Sequence, residues 1–371
     1  MRYSRVVATA LVIAVLLGLG VQGQSVLSVC DYAPPQSRLT ALGLQGSFLW
    51  YDGPYTDDRM RSLTATAAAD YSLLVSTETS GHELAARTEL RVADGDWAYE
   101  LDGSGDIKAY IEDDVFAIGA LEATASDASV EVDATVGIGT GRFRDVTPLA
   151  TAIRVQNALL DLGVLIAPLE ADVLSSLAQV LGEIGPTDEE RILTLAQTLV
   201  GTGLVSGDDV GVLGLLAIEG TMDEAEAGRV CGQDVQLRVG VSAALLPEIN
   251  VAATGIAQYN LALVPDPITQ ITASLTGKIR LANLERFALD GSITYSRRLP
   301  DDWAARATYR IAIDRRWTTE EETGVEHVAS ASLTTQIAGS IGLSVVGELR
   351  YEIGDEEMSS SLTIHLSYNL F

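Results

Sequence analysis

The chain has 371 residues, with 24 basic against 51 acidic side chains and a formal charge of −27. Hydrophobic residues make up 47% and charged residues 20%, too much apolar surface for a disordered chain. The acidity excludes nucleic acid as a partner, because phosphate binding needs a basic stripe. Mean hydropathy is nevertheless positive, at +0.21, so the question is where the apolar residues sit.

Residues 1–23, MRYSRVVATALVIAVLLGLGVQG, predict a secretory signal peptide. Arg2 and Arg5 form the basic region, and Val6 to Leu19 an apolar run too short for an ordinary spanning helix. Cleavage before Gln24 raises the charge of the remainder to about −29. Residues 24–40 then form a periplasmic N-terminal segment. An exported chain permits disulfides, and Cys30 and Cys231 are its two cysteines. Both precede strands at the same end of the predicted topology, which makes a disulfide between them an expectation.

After residue 23 the dominant signal is alternation. In 343–353, Leu343, Val345, Gly347, Leu349, Tyr351 and Ile353 share one strand face, and Ser344, Val346, Glu348, Arg350 and Glu352 lie on the other. In 303–317, Trp303, Ala305, Ala307, Tyr309, Ile311 and Ile313 oppose Arg306, Thr308, Arg310, Asp314 and Arg316. The pattern predicts six strands over 41–145, near 41–51, 62–76, 82–93, 96–111, 114–126 and 128–143. Eight more follow over 228–371, near 232–246, 248–264, 267–282, 285–298, 302–318, 325–338, 340–353 and 358–371. The extracellular connections read as short, apart from 51–61 and 317–326. A soluble sandwich also alternates, but its strands run to about 5–6 residues. The longer strands here suit a tilted membrane crossing.

Aromatics sort by strand direction on the apolar face. Trp50, Trp97, Phe287, Trp317 and Tyr351 fall at one end, and Tyr71, Tyr259, Tyr295, Trp303 and Tyr368 at the other. Two aromatic girdles are the mark of a transmembrane barrel. On these strands and the terminus SLTIHLSYNLF, the chain resembles bacterial outer-membrane β-barrel proteins, with no narrower family indicated. The resemblance implies an up-and-down barrel of about fourteen strands embedded in outer-membrane lipid. It also implies insertion by the outer-membrane assembly machinery, which reads a terminal aromatic such as Phe371, although Phe371 is out of phase with the apolar set of the last strand.

Residues 146–227 switch to helical spacing, as in Leu149, Ala152, Ile153, Gln156, Leu159 and Leu160. Thr147-Pro148 reads as a helix start, and Thr187 with Glu190 as a capping box. The segment is expected as an α-helical periplasmic insertion, able to pack on itself, plug the lumen or dock a periplasmic protein.

No catalytic, cofactor-binding or metal-ligating constellation is evident. His82, His327 and His365 lack zinc spacing, and Gly137-Ile-Gly-Thr-Gly141 lacks the lysine of a phosphate loop and reads as close packing or a bend. His365 and Ser367 form a His-x-Ser pair that resembles outer-membrane lipid A deacylases, but on the polar face near the periplasmic end. What remains is lumenal charge. Arg87, Arg91, Arg238, Arg280, Arg306, Arg310, Asp314, Arg316, Glu348, Arg350 and Glu352 are expected to line the interior, either as a constriction or as a salt-bridge network. Three functions follow. The first is a porin-like channel for small solutes, the second a membrane anchor presenting the helical segment, and the third, with least support, an enzyme.

Overall fold

The structure is a computed structural model. It describes residues 28–34, 36–55, 58–93, 96–183, 186–223, 228–246, 249–280, 286–300, 303–316, 322–338, 341–352 and 359–368. The signal-peptide segment, Trp317 and Phe371 lie outside these, as do the side chains of Trp50, Arg316, Glu352, His365 and Tyr368.

Fourteen strands are described. The first six are β1 (Gln36–Tyr55), β2 (Asp58–Thr77), β3 (Ser80–Ala93), β4 (Asp96–Glu112), β5 (Val115–Ser126) and β6 (Val130–Asp145). The others are β7 (Val230–Leu246), β8 (Asn250–Asp266), β9 (Thr269–Arg280), β10 (Arg286–Arg298), β11 (Trp303–Arg316), β12 (Glu322–Ala338), β13 (Ile341–Glu352) and β14 (Ser359–Tyr368). Each pairs with its sequence neighbours, and β14 returns to β1, where Gln45 faces Ser367, so the sheet is a closed antiparallel barrel. Closure removes the unpaired edges that lipid could not satisfy.

The connection predicted over 51–61 is mostly strand. The β1–β2 ladder runs out to Tyr55 opposite Asp58. Gly53 and Pro54 lie within that connection, but the ladder with β2 carries them, opposite Met60 and Arg59. Similarly, β12 begins at Glu322, inside the connection expected over 317–326.

Register fixes the faces. Asp70 stands opposite Arg87 and Gly43, Ser367 opposite Gln45 and Gly342, Val328 opposite Arg350 and Arg310, and Arg310 opposite Ser292. One face is thereby traced from β3 through β1 and β14 to β10, and it is the polar one. The other face is apolar and open: on β7, Leu237 and Val239 are 59% and 58% exposed, whereas Gln236 and Arg238 are 3% and 6%. This inversion of the usual soluble pattern is what a barrel wall facing hydrocarbon requires. Val239→Arg, near the middle of β7, is therefore expected to destabilise the inserted barrel by about 2–4 kcal/mol. Ser330→Arg, on the inward face of β12, should cost under about 1 kcal/mol. Urea titration in lipid vesicles compares the two, and equal costs would contradict the assigned faces.

The second compact unit is helical: α1 (Thr147–Asp161), α2 (Ala171–Gly182), α3 (Asp188–Gly201) and α4 (Gly211–Asp223), with residues 28–32 and 264–267. Among the described residues no helix is long and apolar enough to cross a membrane. Most of α1 is buried, from Leu149 to Leu159, and Leu174, Leu177, Leu195, Leu199 and Ile218 bring the other helices into the same core. Buried Gln156 accepts a hydrogen bond from Leu169 N at 2.7 Å, satisfying its amide oxygen. The α3 capping box forms as the spacing predicts: Glu190 N donates to Thr187 Oγ1 at 3.2 Å and Thr187 N to Glu190 Oε2 at 2.9 Å.

Candidate functional site: the inward face of the barrel

The inward face has two kinds of charge. Between β4 and β9 the charges are joined to one another, and Lys108, Asp133, Asp234 and Arg238 among them are buried. Lys108 Nζ on β4 donates to Asp234 Oδ2 on β7 at 2.7 Å, and the two side chains are only 8% and 1% exposed. Asp234 also accepts from Gln236 Nε2 and Asn260 Nδ2, each at 2.8 Å. Gln258 Nε2 donates to Asn260 Oδ1 at 3.3 Å, and Arg238 Nη2 donates to Gln258 Oε1 at 2.7 Å. The other guanidinium arm, Arg238 Nη1, reaches Glu122 Oε1 on β5 at 3.1 Å. Further along, Lys278 Nζ on β9 donates to Asp133 Oδ2 on β6 at 2.6 Å. Glu131, which accepts from Ser242 Oγ at 2.9 Å, lies 3.7 Å from Lys278 and 3.8 Å from Arg280.

The pairs at Lys108 and Lys278 each span three strands, so something must give way beneath them. Between Lys108 and Arg238 the register places Ile118 and Gly137, and between Tyr110 and Gln236 it places Phe116 and Gly139. The glycines leave room for the lysine to cross, with its ammonium 5.2 Å from the Phe116 ring centre. They also let β6 and β7 approach closely. A Cβ on Gly137, Gly141 or Gly240 would run into the carbonyl oxygens of Leu237, Gln233 and Ala134, and one on Gly139 would lie 2.5 Å from the Phe116 ring. The Gly-x-Gly-x-Gly run is thus a close-packing device.

Gly141 has φ +112, a conformation that favours glycine, and it interrupts the alternation just before Arg142. The Arg142 guanidinium lies 3.8 Å from the centre of the Tyr110 ring. Its Nη2 donates to Asp113 O at 2.6 Å and Glu78 O at 3.0 Å. One side chain thereby ties the β2–β3 and β4–β5 turns to the end of β6. Asp234, Asn260 and Arg142 were not singled out from the sequence. Asp234 shares the parity of Gln236 and Arg238, which could have found it; for Arg142 alternation gives no signal.

Elsewhere the inward charges are wet. Arg310 donates from Nε and Nη2 to Asp290 Oδ2 at 2.9 and 2.6 Å, Arg350 Nε is 2.8 Å from Glu326 Oε1, and Arg87 Nη2 donates to Glu89 Oε2 at 3.2 Å. The three arginine side chains are 57%, 56% and 58% exposed, and such pairs contribute about 0–1 kcal/mol. Among the described residues, Arg91 and Arg306 are exposed and make no ion pair. The register sets Arg310 and Arg350 on either side of Val328, two strands apart, and their ion pairs run to the adjacent strands. Glu348 and Asp314 lie on the inward face by register, as do the backbones of Arg316 and Glu352.

On the outward face, Trp97, Phe287 and Tyr351 stand at one end of the strands, and Tyr71, Tyr259, Tyr295 and Trp303 toward the other. Tyr351 stacks on His327, whose Nδ1 is 2.8 Å from Tyr309 Oη. Cys30 and Cys231 are both disulfide-bonded. Among the described residues no group of three or more His, Cys, Asp or Glu could hold a metal.

A closed antiparallel barrel with apolar side chains outside and charges inside defines an outer-membrane β-barrel protein, and this chain is of that class. No protein-family model and no curated protein matches it. Among solved structures it is similar to a bacterial polysaccharide outer membrane secretin, with 9% identity over 90% of this chain and 99% of that one, at TM-score 0.31. It is also similar to the translocator domain of autotransporter NalP from Neisseria meningitidis, with 7% identity over 92% and 91%, at TM-score 0.27. A third is the CymD monoaromatic hydrocarbon channel, with 9% identity over 90% and 87%, at TM-score 0.29. Scores this low carry no argument, and the class rests on the barrel's own geometry.

Proposed function

We propose that the barrel is a passive passage for small polar solutes. The observation that supports this reading is the exposure of inward-facing arginines: Arg87, Arg310 and Arg350 point away from lipid, yet more than half of each side chain meets solvent. An inward side chain can be that exposed only where the interior is wide enough for water. Arg91 and Arg306, with no acidic partner among the described residues, add positive potential to the wall.

Planar-bilayer recording tests the reading. The purified protein is expected to give steady ohmic steps with a measurable reversal potential in a salt gradient. Arg91→Glu with Arg306→Glu should move that potential toward cation preference while leaving thermal stability unchanged, since both side chains are exposed. Silence from the whole chain and also from a chain lacking 147–223 would overturn the proposal. Steps that appear only after that deletion would show a passage closed by the helical segment.

A further inference from the structure

The helical unit carries a surface that the barrel reading does not use. The sequence of α4, GVLGLLAIEGTMD, is apolar on all sides through its first eight residues, with Glu219, Thr221 and Asp223 near its end. One face is packed: Ile218 is fully buried, and Gly214 sits where a Cβ would lie 3.4 Å from both Leu159 and Val164. The opposite face is bare. Val212, Leu213 and Leu216 are 74%, 69% and 57% exposed. Leu162 and Ile166 are also exposed on the segment that follows α1, which is held beside the turn before α4 by the hydrogen bond from Ile166 N to Leu204 O at 3.0 Å. A solvent-facing helix surface is ordinarily polar, and a contiguous apolar one marks an interaction site.

Charge says what kind of partner fits. Residues 147–223 hold eleven Asp and Glu against two arginines, Arg154 and Arg191. Arg191 is already engaged with Asp188 Oδ1 at 3.0 Å and Glu183 O at 2.7 Å. Asp161 precedes Leu162, Asp208 and Asp209 precede α4, and Glu219 lies on it, all of them exposed. A second copy of this unit would bring carboxylates against carboxylates, and an anionic lipid surface would be repelled in the same way. We propose that the exposed face of α4 docks a cationic amphipathic helix of a soluble protein partner. Leucine-like anchors at i, i+3 and i+4 of that helix would cover Val212, Leu213 and Leu216, and its lysines or arginines would meet Asp208, Asp209 and Glu219. The inference is independent of whether the barrel conducts.

The test uses the full chain in phosphatidylcholine nanodiscs and a synthetic Leu/Lys amphipathic helix carrying one photoreactive leucine analogue. Crosslinks mapped by mass spectrometry are expected to fall within 208–219. They should drop at least tenfold with Leu213→Glu and Leu216→Glu, and severalfold with Asp208→Asn, Asp209→Asn and Glu219→Gln or in high salt. A Leu/Glu peptide of the same pattern should not label. All substituted positions are exposed, so far-ultraviolet circular dichroism should be unchanged, which separates lost docking from lost folding. Labelling elsewhere on the chain, labelling indifferent to the leucine substitutions, or equal labelling by the acidic peptide would each overturn the proposal. So would crosslinked homodimers that form through α4.

Discussion

Asp234→Ala is expected to be among the most damaging single substitutions in the barrel, costing about 3–5 kcal/mol. Asp234 faces Lys108, Gln236 and Asn260 at once. Removing its carboxylate takes the hydrogen-bonded counter-charge from the buried Lys108 ammonium and leaves only the more distant Asp106 and Glu83, so the penalty approaches that of a poorly compensated ion rather than of one lost hydrogen bond. The control separates the two. Lys108→Met with Asp234→Asn removes both charges and keeps an acceptor for the neighbouring amides, so it should recover most of the loss, because a neutral pair of similar volume is often as stable as a buried salt bridge. Equilibrium urea unfolding in lipid vesicles, followed by tryptophan fluorescence, measures both. If Asp234→Ala costs less than about 0.5 kcal/mol, the network is not what holds the β4–β7 wall together.

Gly141→Ala should be nearly as severe, at about 3 kcal/mol or more. The backbone there has φ +112, and the added Cβ would collide with the Gln233 carbonyl and come within 2.8 Å of the Asp234 Cα. Relief requires β6 and β7 to separate at the point where Asp234 receives Lys108, so strain and network loss coincide. Gly103→Ala and Gly119→Ala provide the contrast. Nothing lies within 4 Å of a Cβ at either position, and alanine in a strand is favoured over glycine by about 0.5–1 kcal/mol. The temperature at which the folded band is lost on a cold gel should fall for Gly141→Ala and hold or rise for the other two. The same fall in all three would mean that glycine content, rather than close approach, governs the wall.

Much of this was legible in the alternation. Period two gave fourteen strands and their two faces, because a side chain between lipid and lumen has no third option, and the register carries each face from strand to paired strand. Strand ends were less legible. Gly53 and Pro54 have the composition of a turn, but pairing with Met60 and Arg59 overrides it. The interior network was the least legible part. Its residue types could be assigned to the lumen, but Lys108 and Asp234 are 126 positions apart and three strands distant. Only the glycine gap on β6 makes them partners. Whether an inward charge is wet or dry depends on what its neighbours two strands away leave empty, and spacing along one strand does not carry that information.

The barrel is closed by β1 against β14, with Gln45 opposite Ser367. The outer edge of the first strand therefore has no partner until nearly the last residues of the chain have arrived, and joining ends roughly 320 residues apart is entropically expensive and slow. Throughout that wait the chain exposes both an open strand edge and an apolar residue at every second position, the combination most prone to cross-pairing with other chains. A formal charge of −27 on every copy opposes that pairing, because like-charged chains repel before the last strand can seal the first.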